Sequence, residues 1–126
     1  MNIQEALDLV DGMKPNMMDR TMKIKFLQEL DQLIYHEILL KHQHEAAQEV
    51  LPVYDADTDP GTELLVPDAY GREMYLYWLM SKVDLQNMEI EKYNNDRALF
   101  ENCYDTMSDW WTRTHMPIGA LPFVWI

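Results

Sequence analysis

Tyr54-Asp-Ala-Asp-Thr-Asp-Pro-Gly-Thr-Glu-Leu-Leu-Val-Pro67, followed closely by Met74-Tyr-Leu-Tyr-Trp-Leu-Met80, is the stretch that decides how this chain folds. Aspartates, proline and glycine together make turns, because short acids bond their own backbone two residues on and proline presets φ. The apolar run Leu64–Val66 then leads into Pro67, a residue suited to the first turn of a helix. The segment Met74–Met80 has no polar face, whereas a helix on the surface of a small protein keeps one side in water. The expectation is a long acid-rich irregular connection, followed by a helix covered on two sides. By helical position, Tyr77 and Met80 join the core while Tyr75, Trp78 or Leu79 face elsewhere. Two readings stay open for this helix: a central position buried all round by its own chain, or a face presented to another subunit.

Outward from this stretch the pattern is mainly α, a four-helix domain. Asn2 to Met13 reads as a first helix, capped by Asn2 with Glu5 three residues on, ended by Gly12 and Pro15, and carrying Ile3, Leu7 and Val10 on one stripe. Met18 to Gln43 reads as the second, with Met22, Phe26 or Leu27, Leu30, Leu33 with Ile34, and Ile38 at spacings of three and four. Pro67 to Asn87 is the third and Glu89 to His115 the fourth, the latter showing a stripe of Phe100, Tyr104, Met107 and Trp111 before Pro117 stops it. Between the second and third helices, Val50–Tyr54 and Thr62–Val66 form either a short hairpin across the Asp-Pro-Gly turn or an extended loop. Residues 1–117 make the helical domain and 118–126 an extended arm.

The chain has 126 residues, enough for one domain with a modest core and no staples. Its single cysteine, Cys103, reads as a small buried helix residue rather than a reactive thiol. No basic-then-apolar leader and no apolar run of membrane length is evident, so the expectation is a protein made in the cytoplasm, with no membrane partner. The formal net charge is −12, from 22 acids and 10 bases. That argues against gripping nucleic acid by its phosphates. It fits ordinary solubility, and it equally fits a lumen wall that lets DNA slide past without sticking. The locally basic window Met13–Lys25 reads as a solvated helix face or a contact with an acidic neighbour.

Constellations that carry chemistry fail on spacing. Asp55, Asp57 and Asp59 open like a calcium loop, but Pro60 stands where glycine is needed and Val66 where a bidentate glutamate is needed. His36 has Leu40 four residues on, which breaks the zinc-protease pattern. None of His36, His42, His44 and His115 has the glutamate three residues before it that a di-iron bundle uses. No glycine-rich phosphate loop or serine elbow occurs. The expectation is a non-enzyme with no cofactor, metal site or catalytic residue.

The last stretch, Met116-Pro-Ile-Gly-Ala-Leu-Pro-Phe-Val-Trp-Ile126, contains no charged side chain, and its prolines and glycine forbid a helix. Leu121, Phe123, Val124, Trp125 and Ile126 call for burial, each side chain gaining about 1.5–3 kcal/mol when covered. The arm either folds back on its own domain or docks on a neighbouring subunit or partner.

Taken together, several blocks resemble the head-tail connector (head-completion, or DNA-packaging adaptor) proteins of tailed phages, as found in siphophages and in prophages of gut Firmicutes. They are Ile3–Ala6, Val10-Asp11, Lys14–Asn16, Leu30-Asp31, Ile34-Tyr35, Tyr54–Pro60, Glu63–Pro67, Tyr75–Met80, Tyr93–Asn95, Ala98–Phe100 and Arg113–Pro117. The blocks Tyr54–Pro67 and Arg113–Pro117 are the specific ones. The chain departs from the pattern at Gly61 and at Gly71-Arg72, where acids would be expected, and its tail is more apolar. The resemblance implies a structural virion protein at the head-tail interface, made in the bacterial host. It would dock on the portal protein, form a homo-oligomeric ring, with a dodecamer expected from the family, and present a surface to the next connector or stopper protein. DNA would be passing cargo. On that model Tyr75, Trp78, Leu79, Leu121, Phe123, Val124, Trp125 and Ile126 build subunit or partner contacts. The rival reading is a small acidic helical protein that binds and inhibits a basic host or phage factor.

Overall fold

The computed structural model describes residues 1–42 and 50–115, and the chain is mainly helical there, with four α-helices. Helix α1 spans Ile3–Met13. The capping box forms as the sequence predicts: Asn2 Oδ1 accepts from the Glu5 amide at 2.8 Å, and Glu5 Oε1 accepts from the Asn2 amide at 3.2 Å. Ile3, Ala6, Leu7 and Val10 are buried.

Helix α2 spans Arg20–Glu37, shorter than predicted, and is followed by a single 3-10 turn at Leu39–Lys41. The run Ile38-Leu39-Leu40 offers no polar face, and tightening the turn puts Ile38 and Leu39 inside while leaving Leu40 out. The buried stripe of α2 includes the expected Leu27, Leu30 and Ile34, with Ile38 just beyond, and departs from the expected one at Met22 and Leu33. Ile24, Leu27, Leu30, Asp31, Ile34 and Tyr35 face inward, whereas Met22 and Leu33 are exposed. A charged residue, Asp31, sits at the centre of the buried face, which an apolar count alone does not reveal.

Helices α3 (Asp68–Gln86) and α4 (Ile90–Thr114) form the principal packed pair. Joined by Asn87-Met88-Glu89, they run antiparallel, and Tyr70 stacks on Trp110 at one end, Trp78 meets Phe100 midway, and Asp84 lies beside Asp96 at the other. Met88, at φ 58°, makes the corner in the left-handed region. Phe100, Met107 and Trp111 are buried and Tyr104 half-buried, as the α4 stripe predicts.

The connection over 50–66 forms no hairpin; among the described residues there is no strand, and an isolated bridge joins Asn2 and Glu63. Instead of pairing with each other, the two halves bond to helices. The Ile3 amide donates to Thr62 O at 3.0 Å and the Gln4 amide to Pro60 O at 3.1 Å, so the loop supplies acceptors for the first turn of α1. Gln32 Nε2 donates to Pro52 O at 2.8 Å, and the Tyr54 amide to Gln28 Oε1 at 2.9 Å, which fixes the other half along α2.

Candidate assembly surfaces and the polar nodes beneath them

Three elements meet at Asp31. Its carboxylate is fully buried and accepts from the Tyr54 hydroxyl at 2.5 Å, the Tyr75 hydroxyl at 2.5 Å and the Leu65 amide at 3.1 Å. Tyr75 in turn accepts from the Val66 amide at 3.1 Å. A buried carboxylate is tolerated only when its lone pairs are filled, and here the loop provides two donors and α3 one. Burial pushes the Asp31 carboxyl above its usual range, while the three donors act to hold it down. Burial and the Asp31 charge also hold both phenols far above the ordinary tyrosine value, so they remain hydrogen-bond donors at any physiological pH.

Around this node the third helix is oriented opposite to the sequence expectation. Tyr75 and Leu79 are completely buried and Trp78 nearly so, whereas Tyr77 and Met80 are only half-buried. The reason is that the loop 54–66 lies over the Tyr75 side of α3 and α2 lies over the Trp78 side, where the indole Nε1 donates to Phe26 O at 2.7 Å. These three residues are core within one copy and present no face to a neighbour. The all-round coverage of the helix by its own chain is the reading the structure supports. The other predicted contact residues, Leu121, Phe123, Val124, Trp125 and Ile126, lie outside the described residues.

Gly71 belongs to the same packing. A Cβ there would meet Val66 O at 2.8 Å and the Tyr75 ring at 3.0 Å, so the loop can approach α3 only where no side chain intervenes. This accounts for glycine where the resemblance leads one to expect an acid.

A second node closes the far end of the bundle. Lys14 Nζ bonds to Asp84, and reaches Asp96 at 3.2 Å, tying the end of α1 to the α3–α4 corner. Asp84 is fully buried, and one of its oxygens has no hydrogen-bond partner among the described residues. A protonated Asp96 would supply that oxygen with a donor. Burial and the neighbouring Asp84 accordingly push Asp96 up to about 6, with Lys14 acting in the opposite direction.

On the α2–α3–α4 flank, Lys82 Nζ sits 4.3 Å from the Trp78 ring centroid and the Arg97 guanidinium carbon 5.3 Å from it. Glu101 pairs with Arg97 at 3.5 Å. Burial, with Arg97 beside it, lowers the Lys82 ammonium. On the opposite flank of α2, Asp55, Asp57 and Asp59 are exposed, and Asp55 and Asp59 use side-chain oxygens to cap their own turns, accepting from the Asp57 amide at 2.9 Å and the Gly61 amide at 2.8 Å.

Two groups of exposed apolar side chains remain. Met13, Met17, Leu85, Met88 and Ile90 collect at the end closed by Lys14, and Val50, Leu51, Val53, Leu33 and Leu40 lie along the outside of α2 and its loop. A groove on the α3–α4 seam is lined by Asp68, Arg72, Glu73, Asn102, Cys103 and Thr106, among others. Burial, with Glu73 adding, raises the Cys103 thiol above its ordinary value, which disfavours the thiolate. Among the described residues, no group of three or more His, Cys, Asp or Glu is placed to hold a metal ion, and no helix is long and apolar enough to cross a membrane. Compared with family models, with curated proteins and with solved structures, the chain finds no match in any of the three.

Proposed function

We propose that this chain is a structural head-tail connector (adaptor) subunit of a tailed phage, located at the virion's head-tail interface. In this reading it docks on the portal vertex and forms a ring through which DNA passes, offering its other face to the next connector or stopper protein. The observation that carries the reading is the convergence of the resembling blocks. Asp31, Tyr54, Leu65, Val66 and Tyr75 come from four separate blocks and meet at one buried node. The −12 charge suits a wall that faces passing DNA, since it offers phosphates no counter-ions. The two groups of exposed apolar side chains, one at the end closed by Lys14 and one along the outside of α2, suit contacts between subunits and with neighbours.

The test is electron microscopy of the cognate portal assembly with and without the purified chain. The expected result is an added ring of density on the portal face that receives the tail. A portal that stays bare at saturating protein would end the reading. It would turn attention to the rival, an acidic inhibitor, which predicts a tight one-to-one complex with a basic protein.

A further inference from the structure

We propose that the open seam between α2 and α4 is a docking groove for an arginine side chain carried by a basic partner protein. Helix α3 packs against both α2 and α4, whereas α2 and α4 are not a packed pair, and a groove is left between them. Its volume is about 150 Å³, and it is lined by Leu33, Glu37, Phe100, Glu101, Tyr104 and Asp105, with Arg97. That is well below the roughly 300–1,000 Å³ of small-molecule pockets and suits a single side chain. The floor is apolar and aromatic: Phe100 is buried, Tyr104 is half-buried, and Leu33 is 40% exposed. The rim carries three carboxylates and one cation. Arg97 pairs with Glu101 at 3.5 Å, and Glu37 accepts from the Tyr104 hydroxyl at 2.9 Å. Burial and the charges of Glu37 and Asp105 raise the Tyr104 phenol, so both carboxylates act on one ring. No cation among the described residues pairs with either of them.

A guanidinium answers this arrangement better than an ammonium. Its flat face stacks on an aromatic ring while its edge bonds carboxylates. The groove already holds one arginine in this way: the Arg97 guanidinium carbon lies 5.1 Å from the Phe100 ring centroid, with Glu101 beside it. Glu37 and Asp105 flank Tyr104 in the same manner, open to a cation from outside. Charge selects a different protein over a second copy as the source. With 22 acids against 10 bases, two copies of this chain repel each other. A basic partner is attracted by the same field, which steers its encounter with the acidic surface.

The inference goes beyond the connector reading and is tested on the full chain without a portal. The probes are a capped Ala-Ala-Arg-Ala-Ala peptide and its lysine counterpart, titrated into the isotope-labelled chain and followed by its amide resonances in nuclear magnetic resonance. The arginine peptide is expected to shift the amides around Leu33, Glu37, Tyr104 and Asp105, and the lysine peptide to bind about threefold or more weakly. Glu37→Gln with Asp105→Asn is expected to weaken the arginine peptide about fivefold or more. Its new amide at 37 can still accept from the Tyr104 hydroxyl, and circular dichroism checks that the helices are kept. Asp57→Asn with Glu91→Gln removes the same charge from exposed residues that do not line the groove, and is expected to leave binding within about twofold. Equal weakening by the two variants overturns the proposal, since net charge alone then accounts for the binding. An arginine peptide that moves no seam amide at millimolar concentration overturns it, as do shifts spread over the whole acidic surface. Movement of the seam amides on concentrating the chain without peptide makes a second copy the occupant, and also overturns it. None of these results bears on the connector reading, which the portal experiment decides.

Discussion

The hydroxyl of Tyr75 on α3 donates to the carboxylate of Asp31 on α2 at 2.5 Å, across 44 residues of sequence, while accepting from the Val66 amide. One phenol thus joins two helices and the acid-rich loop. Tyr75→Phe keeps the ring and removes a donor from a buried carboxylate and an acceptor from a buried amide. The expected loss is about 1.5–3 kcal/mol, the range for hydrogen bonds to charged groups. Tyr54→Phe should cost less, because its amide still bonds to Gln28. Urea unfolding followed by circular dichroism measures both. The double variant should deviate from additivity, since the two phenols share one carboxylate; strict additivity would mean that Asp31 is satisfied from elsewhere.

Asp96 is raised to about 6, above its ordinary value of 3.8, so the folded state holds this proton more tightly than the unfolded chain does. The sign follows: its contribution to stability is full below about pH 4, declines as pH rises toward 6, and is gone above that. Asp96→Asn should remove this dependence, because the amide donates to Asp84 at every pH. The stability of Asp96→Asn relative to wild type should therefore improve between pH 4 and pH 7, read from denaturation midpoints at each pH. A constant difference across that window would contradict the shared-proton arrangement.

Gly71→Ala sets helix propensity against packing. Alanine is favoured in a helix interior by about 1 kcal/mol, but its Cβ would stand 2.8 Å from Val66 O, a backbone atom held by the loop. Overpacking of this kind costs about 1–3 kcal/mol. Net destabilisation is expected in thermal melts, together with weaker protection of the Val66 amide in hydrogen exchange. A stabilised variant would show that the loop shifts without cost.

Met88 adopts φ 58° while its side chain is 82% exposed, so the backbone carries a strain that no packing of that side chain offsets. Asparagine tolerates the left-handed region better. Met88→Asn should raise stability by about 0.5–1 kcal/mol, seen as a higher melting temperature. An unchanged or lowered melting temperature would mean that the methionine contributes contacts at the corner.

Much of the architecture was legible in local chemistry. The Asn2 cap with Glu5, Pro67 before α3 and the Phe100–Trp111 stripe of α4 were each readable because capping, proline geometry and helical period act over a few residues. The faces of α2 and α3 were not. An apolar stripe drawn through Met22 and Leu33 misses that the buried face of α2 is centred on Asp31, and assigning Tyr75, Trp78 and Leu79 outward misses what covers them. Both depend on where the loop 50–66 comes to rest, and the bonds that place it run from Tyr54 to Asp31, 23 residues apart, and from Thr62 to Ile3.

The sequence by itself determined four helices, their approximate ends, an acidic turn-rich connection and a charge-free C-terminal segment, because propensity, capping and hydrophobic period are properties of neighbouring residues. Only the tertiary structure decided that the connection becomes a strap rather than a hairpin. It likewise decided that α3 is buried on the Tyr75 side and that Lys14, Asp84 and Asp96 meet at one end. The physical reason is that a buried carboxylate or lysine must find its partners wherever the chain can deliver them. Asp31, Asp84 and Lys14 each found theirs in segments far away in sequence.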